Sequence, residues 1–159
     1  MKKKFVCIGL IAVCSVMLIG CGKNKSLTIK ADTGDVIDVS IDKSGGYSLE
    51  KSGDSSFLIN RKGEQLCTGS FVTEEYYADY ADSLNDDENI DVLSTGHNDD
   101  YKYVFYRCDD KYDYIVLIND SDTGVLIENT TSQLDAQKCF RRLESVSYTH
   151  LTLPTTPYV

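Results

Sequence analysis

No tryptophan occurs anywhere in the chain, no methionine after Met17, and no proline before Pro154. Tyrosine therefore supplies much of the aromatic core and rim, since all of the eleven except Tyr148 and Tyr158 fall between positions 22 and 144. Histidine is as scarce, with His97 and His150 alone. Acid–base catalysis through imidazole has His97 as its single participant, in the loop "STGHNDD", with nothing to pair it with a nucleophile. Beside Asp99 and Asp100 it reads as a surface residue. Zinc lacks a ligand run, because Cys67, Cys108 and Cys139 are scattered and show no CxxC spacing. These three read as small buried apolar residues, with room for at most one pair. Nothing in the chain calls for a cofactor.

Positive charge is also short. Sixteen basic residues face 25 acidic ones, and setting aside the three lysines at positions 2 to 4 leaves a net −12 over residues 21 to 144. Such a surface is repelled by phosphate backbones and by anionic lipid, which argues against nucleic acid as a partner.

The late prolines mark a foreign tail. Val146 to Thr155 back-translate, ten codons without a break, to the transposase-end adapter of a sequencing-library kit. Residues 145–159 are therefore expected to be an adapter-derived segment without ordered structure, behind which the native C-terminus is lost.

At the other end, "MKKKFVCIGLIAVCSVMLIGCGKNK" shows a tri-lysine start, an uncharged run from Phe5 to Gly20, and then a cysteine. The run is shorter than the ~20 apolar residues that comfortably span a bilayer. Leu18-Ile19-Gly20-Cys21 resembles the lipobox of bacterial lipoproteins. The resemblance implies a signal peptide over 1–20, cleavage between Gly20 and Cys21, and a diacylglycerol thioether on Cys21 followed by fatty acylation such as palmitate. The membrane partner is then reached through lipid, on the extracytoplasmic side of the cell membrane, with 21–26 as a polar tether.

The domain expected over 27–144 opens with "VIDVSID" at 36–42, whose alternation puts Ile37, Val39 and Ile41 on one face of a strand. Short strands follow in "YSLEKSG" and "SFLINRKGEQLCTGSFV", the latter folded at Arg61-Lys62-Gly63-Glu64. Thr73 caps a helix in "EEYYADYADSL", with Tyr76, Tyr77, Tyr80, Ala81 and Leu84 as its apolar stripe. A meander runs through "IDVLST", "YKYVFYRC", "YDYIVLI" and "VLIEN". Thr131 or Ser132 then caps a second helix, "QLDAQKCFRRL", with Leu134, Ala136, Phe140 and Leu143 inward. The order predicts an α+β fold, an antiparallel sheet of short strands with two packed amphipathic helices.

From Tyr47 to Glu144 this order, with its "TGV" turn and the spacing Ser132, Ala136, Phe140, is similar to the PsbP/Mog1-like lipoproteins and their DcrB-type relatives. That resemblance implies an anchored accessory or binding module and carries no catalytic motif. The expected role is non-enzymatic binding of a protein, a peptide or a small ligand. The alternatives are a weak calcium-binding module, from the acidic loops at 85–91, 97–100 and 119–124, and a carboxylate hydrolase. Tyr101 and Tyr103 share one strand face, Tyr112 and Tyr114 align on the next, and these four are the candidate ligand-facing set.

Overall fold

The computed structural model describes residues 24–143 and the backbone of residues 145–149. The elements are β1 (Asn24–Lys30), β2 (Val36–Asp42), β3 (Tyr47–Lys51), β4 (Ser56–Arg61), β5 (Glu64–Thr73), α1 (Glu74–Ser83), β6 (Ile90–His97), β7 (Tyr101–Cys108), β8 (Lys111–Ile118), β9 (Thr123–Thr130), α2 (Gln133–Arg142) and β10 (Ser145–Thr149). Seven strands form one antiparallel sheet in the order β3-β4-β5-β9-β8-β7-β6, and β1, β2 and β10 form a second with β2 in the middle. The fold is α+β, since runs of consecutive antiparallel strands, not single strands, separate the two helices.

Both faces of the large sheet are covered. Along β8, Tyr114, Val116 and Ile118 join the core shared with α2 and the small sheet, while Ile115 and Leu117 join the core beneath α1. Alternate residues of a strand point to opposite faces, so a strand buried on both sides reads as a continuous apolar run. "YIVLI" is such a run. The small sheet contributes Ile29, Ile37, Val39 and Ile41, all 0% exposed, to the α2 side.

Local chemistry sets the turns and caps. Lys62 and Gly63 both have positive φ, 53° and 85°, in the two-residue hairpin between β4 and β5; right-handed strand twist favours such a turn, and Gly63 accepts it without a Cβ clash. Thr73 caps α1 by accepting the Tyr76 N–H at 3.1 Å, and Ser132 caps α2 by accepting the Asp135 N–H at 3.4 Å. Between β8 and β9 the register shifts: Tyr112 pairs with Thr130 and Tyr114 with Ile127, so Glu128 and Asn129 oppose Asp113 alone. Asn129 has φ 74° in this bulge, and its N–H donates to Asp113 Oδ1 at 2.9 Å.

Four expectations need correction. Asn24, Lys25 and Ser26, expected within a polar tether over 21–26, belong to β1 and pair with Asp42, Ile41 and Ser40. Tyr76 is 44% exposed and stacks on Tyr80 at 5.5 Å instead of facing the core. Leu134 is 57% exposed, and Cys139, at 0%, takes its place on the buried side of α2. Finally, residues 145–149, expected to belong to an adapter-derived segment without ordered structure, pair with β2 from Ser145↔Ser40 to Thr149↔Val36. β2 thereby has a strand on both sides, and a segment containing valine, tyrosine and threonine is suited to strand pairing. Gly20 and Cys21 lie outside the described residues, as do positions 150–159.

Candidate functional site

Helix α2 is held on the large sheet by aromatic packing in its middle and guanidinium groups around it. Phe140 stacks on Tyr114 at 4.3 Å and 10°, with Tyr103 at 5.1 Å and Tyr101 edge-on at 5.5 Å. Phe105 stacks on the opposite face of Tyr114 at 4.3 Å, and Tyr112 lies beside Phe105 at 6.4 Å. Arg61 reaches Asp135 at 3.3 Å near the start of the helix. At its end, Arg142 donates to Asp42 and Ser44 at 3.2 and 2.7 Å and lies over the Tyr47 ring, 4.5 Å from its centroid.

The four candidate tyrosines thus come together on one face, and α2 covers much of it. Tyr114 is buried, while Tyr101, Tyr103 and Tyr112 are partly so. Burial is the main reason the Tyr114 hydroxyl is pushed up to about 12, with Tyr103 adding to the rise and Arg141 opposing it. Tyr114 is therefore a neutral aromatic floor at any physiological pH. Tyr101 has a second role, because it stands at the edge of an open space that the packing of α2 leaves unfilled.

That space is a cavity of about 370 Å³ under the last turn of α2. Its floor is the large sheet: Phe57 from β4, Val116 and Ile118 from β8, and Val125 and Ile127 from β9. Val39 of β2, Phe140 and Leu143 close the sides. Asn98, Asp100 and Arg141 also line it and are exposed, which puts the polar groups at the rim and the apolar ones inside. The floor depends on one glycine: a methyl group on Gly69 would land inside the Phe57 ring, which lies across it. Phe57 is 1% exposed and pairs with Gly69 across the strands, so the bare backbone there sets the depth at which the ring rests.

The rim is braced by a network of turns. Asn98 Oδ1 accepts the N–H groups of Asp100 and Tyr101 at 2.9 and 2.8 Å, and Asn119 Nδ2 donates to the carbonyls of Asn98 and Asp99 at 2.9 and 3.1 Å. Two of the three acidic loops considered for calcium are thereby bonded to each other through side chain and backbone. In the third, Asn89 folds back onto Asp87 Oδ1 through its N–H and its amide at 2.9 and 3.0 Å. Among the described residues, no group of three or more His, Cys, Asp or Glu side chains is placed to hold a metal ion. His97 is exposed at the end of β6, across from Lys102.

The other face of the sheet holds a second polar group. Asp113 is 7% exposed, and loss of water raises its carboxyl to about 6, Glu128 adding to the rise while Lys111 and the N–H groups of Asn129 and Thr130 oppose it. Above it, Tyr106 and Tyr80 share a hydrogen bond of 3.1 Å, and burial holds the Tyr106 hydroxyl far above its usual range. Compared with known proteins, the chain matches no family model, no curated protein and no solved structure.

Asn98, Asp100, Phe140 and Arg141 were not among the candidate ligand-facing residues. The cavity draws on β2, β4, β7, β8, β9, α2 and the β6–β7 turn, so no contiguous motif announces it. One signal was present in the strand parity: Tyr114, Val116 and Ile118 share a face, and extending that face past the tyrosines leads to the cavity.

Proposed function

We propose that the chain is a non-enzymatic binding module, anchored through lipid on Cys21 at the outer side of a bacterial membrane, whose cavity takes a small amphipathic ligand. The cavity carries this reading: an apolar interior with a few polar groups at its mouth is the usual make-up of a small-molecule site. Its rim fits the same role. Arg141 offers a charged donor in a molecule otherwise poor in positive charge, while Asn98 and Asp100 are fixed in position by the turn network.

The anchor rests on the lipobox resemblance and on chain geometry. Since β1 starts at Asn24, the link from Cys21 spans about 10 Å at most, which would keep the domain close to the headgroups. Among the described residues, no helix is long and apolar enough to cross a membrane. Two or more acyl chains hold a protein stably where a single one binds only marginally.

The two halves of the proposal are tested separately. Titration with the anionic dye 8-anilinonaphthalene-1-sulfonate is expected to give saturable fluorescence enhancement with the native protein. Val125→Phe, which fills the interior without touching the rim, is expected to weaken uptake at least tenfold with its circular dichroism spectrum preserved. Equal uptake by that variant would place the ligand elsewhere. For the anchor, radioactive palmitate is expected to label the wild type and not Cys21→Ser; a mature chain found free in the medium with an unmodified amino terminus would reject it.

A further inference from the structure

We infer that Cys67 of β5 and Cys139 of α2 close an intramolecular disulfide when the chain folds in the presence of an oxidised thiol couple, fastening α2 to the large sheet. Both residues are 0% exposed and belong to the single apolar core between the sheet and α2. Both are free thiols in this structure, and they are close enough to interact: Cys139 first, and burial second, hold the Cys67 thiol well above its ordinary range. Cys139 lies with Ala136 on the buried side of α2.

The remaining described cysteine cannot compete. Cys108 packs with the core beneath α1, on the far side of the sheet from the other two. The sheet itself separates them. Among the described residues, one intramolecular pairing is therefore open, and it joins elements distant in sequence.

The chemistry is thiol–disulfide exchange. A thiolate attacks an external disulfide such as oxidised glutathione, forming a mixed disulfide and releasing one reduced thiol. The second protein thiolate then attacks the protein sulfur of the mixed disulfide and expels the other. Two protein thiols lose two electrons and two protons overall, and one external disulfide becomes two thiols. The folded, buried Cys67 thiol is neutral and a poor nucleophile, so the bond closes while α2 docks, before the core excludes the oxidant. The bridge closes a loop of about 70 residues, a length at which the unfolded chain loses substantial freedom.

The test refolds the full chain from reductant and denaturant into a buffer of reduced and oxidised glutathione, followed by alkylation and tryptic mapping. The expected product is a linked pair of fragments, 63–102 carrying Cys67 and 139–141 carrying Cys139, with Cys108 alkylated. Reading the bond at peptide level keeps the cysteines at 7, 14 and 21 out of the assignment. Wild type and Cys108→Ala are expected to lose several degrees of melting temperature on reduction with dithiothreitol, whereas Cys67→Ala/Cys139→Ala shows no difference between the two conditions. Recovery of folded wild type with Cys67 and Cys139 both alkylated would overturn the inference. The inference does not depend on the cavity, and its cellular relevance needs the oxidising compartment that an extracytoplasmic location provides. A bond that forms in the refolding buffer but is missing from chain isolated from cells therefore counts against the location, not against the pairing.

Discussion

Asp113 shows how one residue couples local geometry to solution behaviour. Its carboxylate accepts the N–H of Asn129 at the bulge in β9, yet it sits in a wall shared with Tyr80, Tyr106 and Glu128, where loss of water outweighs that bond. The folded value of about 6 exceeds the ordinary 3.8, so folding favours the neutral acid. The stabilisation from this group is complete below about pH 4 and disappears as pH rises through 6, and Glu128, raised for the same reason, adds to the trend. The difference is on the order of 3 kcal/mol. Asp113→Asn keeps an acceptor for Asn129 and removes the charge. It is expected to raise the melting temperature at pH 7.5 by roughly 5 °C and to flatten its pH dependence between 4 and 6, as measured by calorimetry. None of this was legible in the sequence. Asp113 stands in "YDYIVLI" as an ordinary polar member of an alternating strand, and only the bulge and the helix above it determine that it is buried.

Among the elements, the turns carry long-range information. The β1–β2 turn and the β8–β9 turn are locked together: Thr123 Oγ1 donates to Asp35 Oδ2 at 2.7 Å, Ser121 Oγ donates to the same oxygen at 3.0 Å, and Thr33 and Thr123 share a hydrogen bond of 2.6 Å. Thr123 is 0% exposed, so its hydroxyl has no water to replace these partners. Hydrogen bonds to a charged acceptor contribute about 1.5–3 kcal/mol. Thr123→Val, of similar shape, is expected to lower the urea midpoint by about 1 M while leaving the slope of the transition unchanged. The sequence disclosed the existence of both turns, since "ADTGD" and "NDSDTG" are rich in residues that bend the chain. That they meet could not be read, because the bond spans 88 residues. Helix faces divided in the same way: caps at Thr73 and Ser132 follow from local chemistry, whereas the exposure of Tyr76 and Leu134 depends on which side the sheet approaches.

For the whole molecule, strand and helix order fixed the class because period-two and period-3.6 patterns are local. What the patterns left open was the second layer. The run "YIVLI" points both ways, and nothing in it distinguishes cover by α2 from cover by the small sheet. The cavity stayed hidden for the same reason: it is the space left where those two covers fail to meet. The lock between the first turn and the β8–β9 turn also bears on how this molecule is made. At about 5–20 residues added each second on the ribosome, the opening hairpin emerges several seconds before the strands it must cover. Throughout that interval Ile29, Ile37, Val39 and Ile41 lack the strands β8 and β9 that complete their cover. An exported chain, as proposed above, meets the same delay as it leaves the membrane channel, and the amino-terminal hairpin waits there with one face uncovered until β8 and β9 follow.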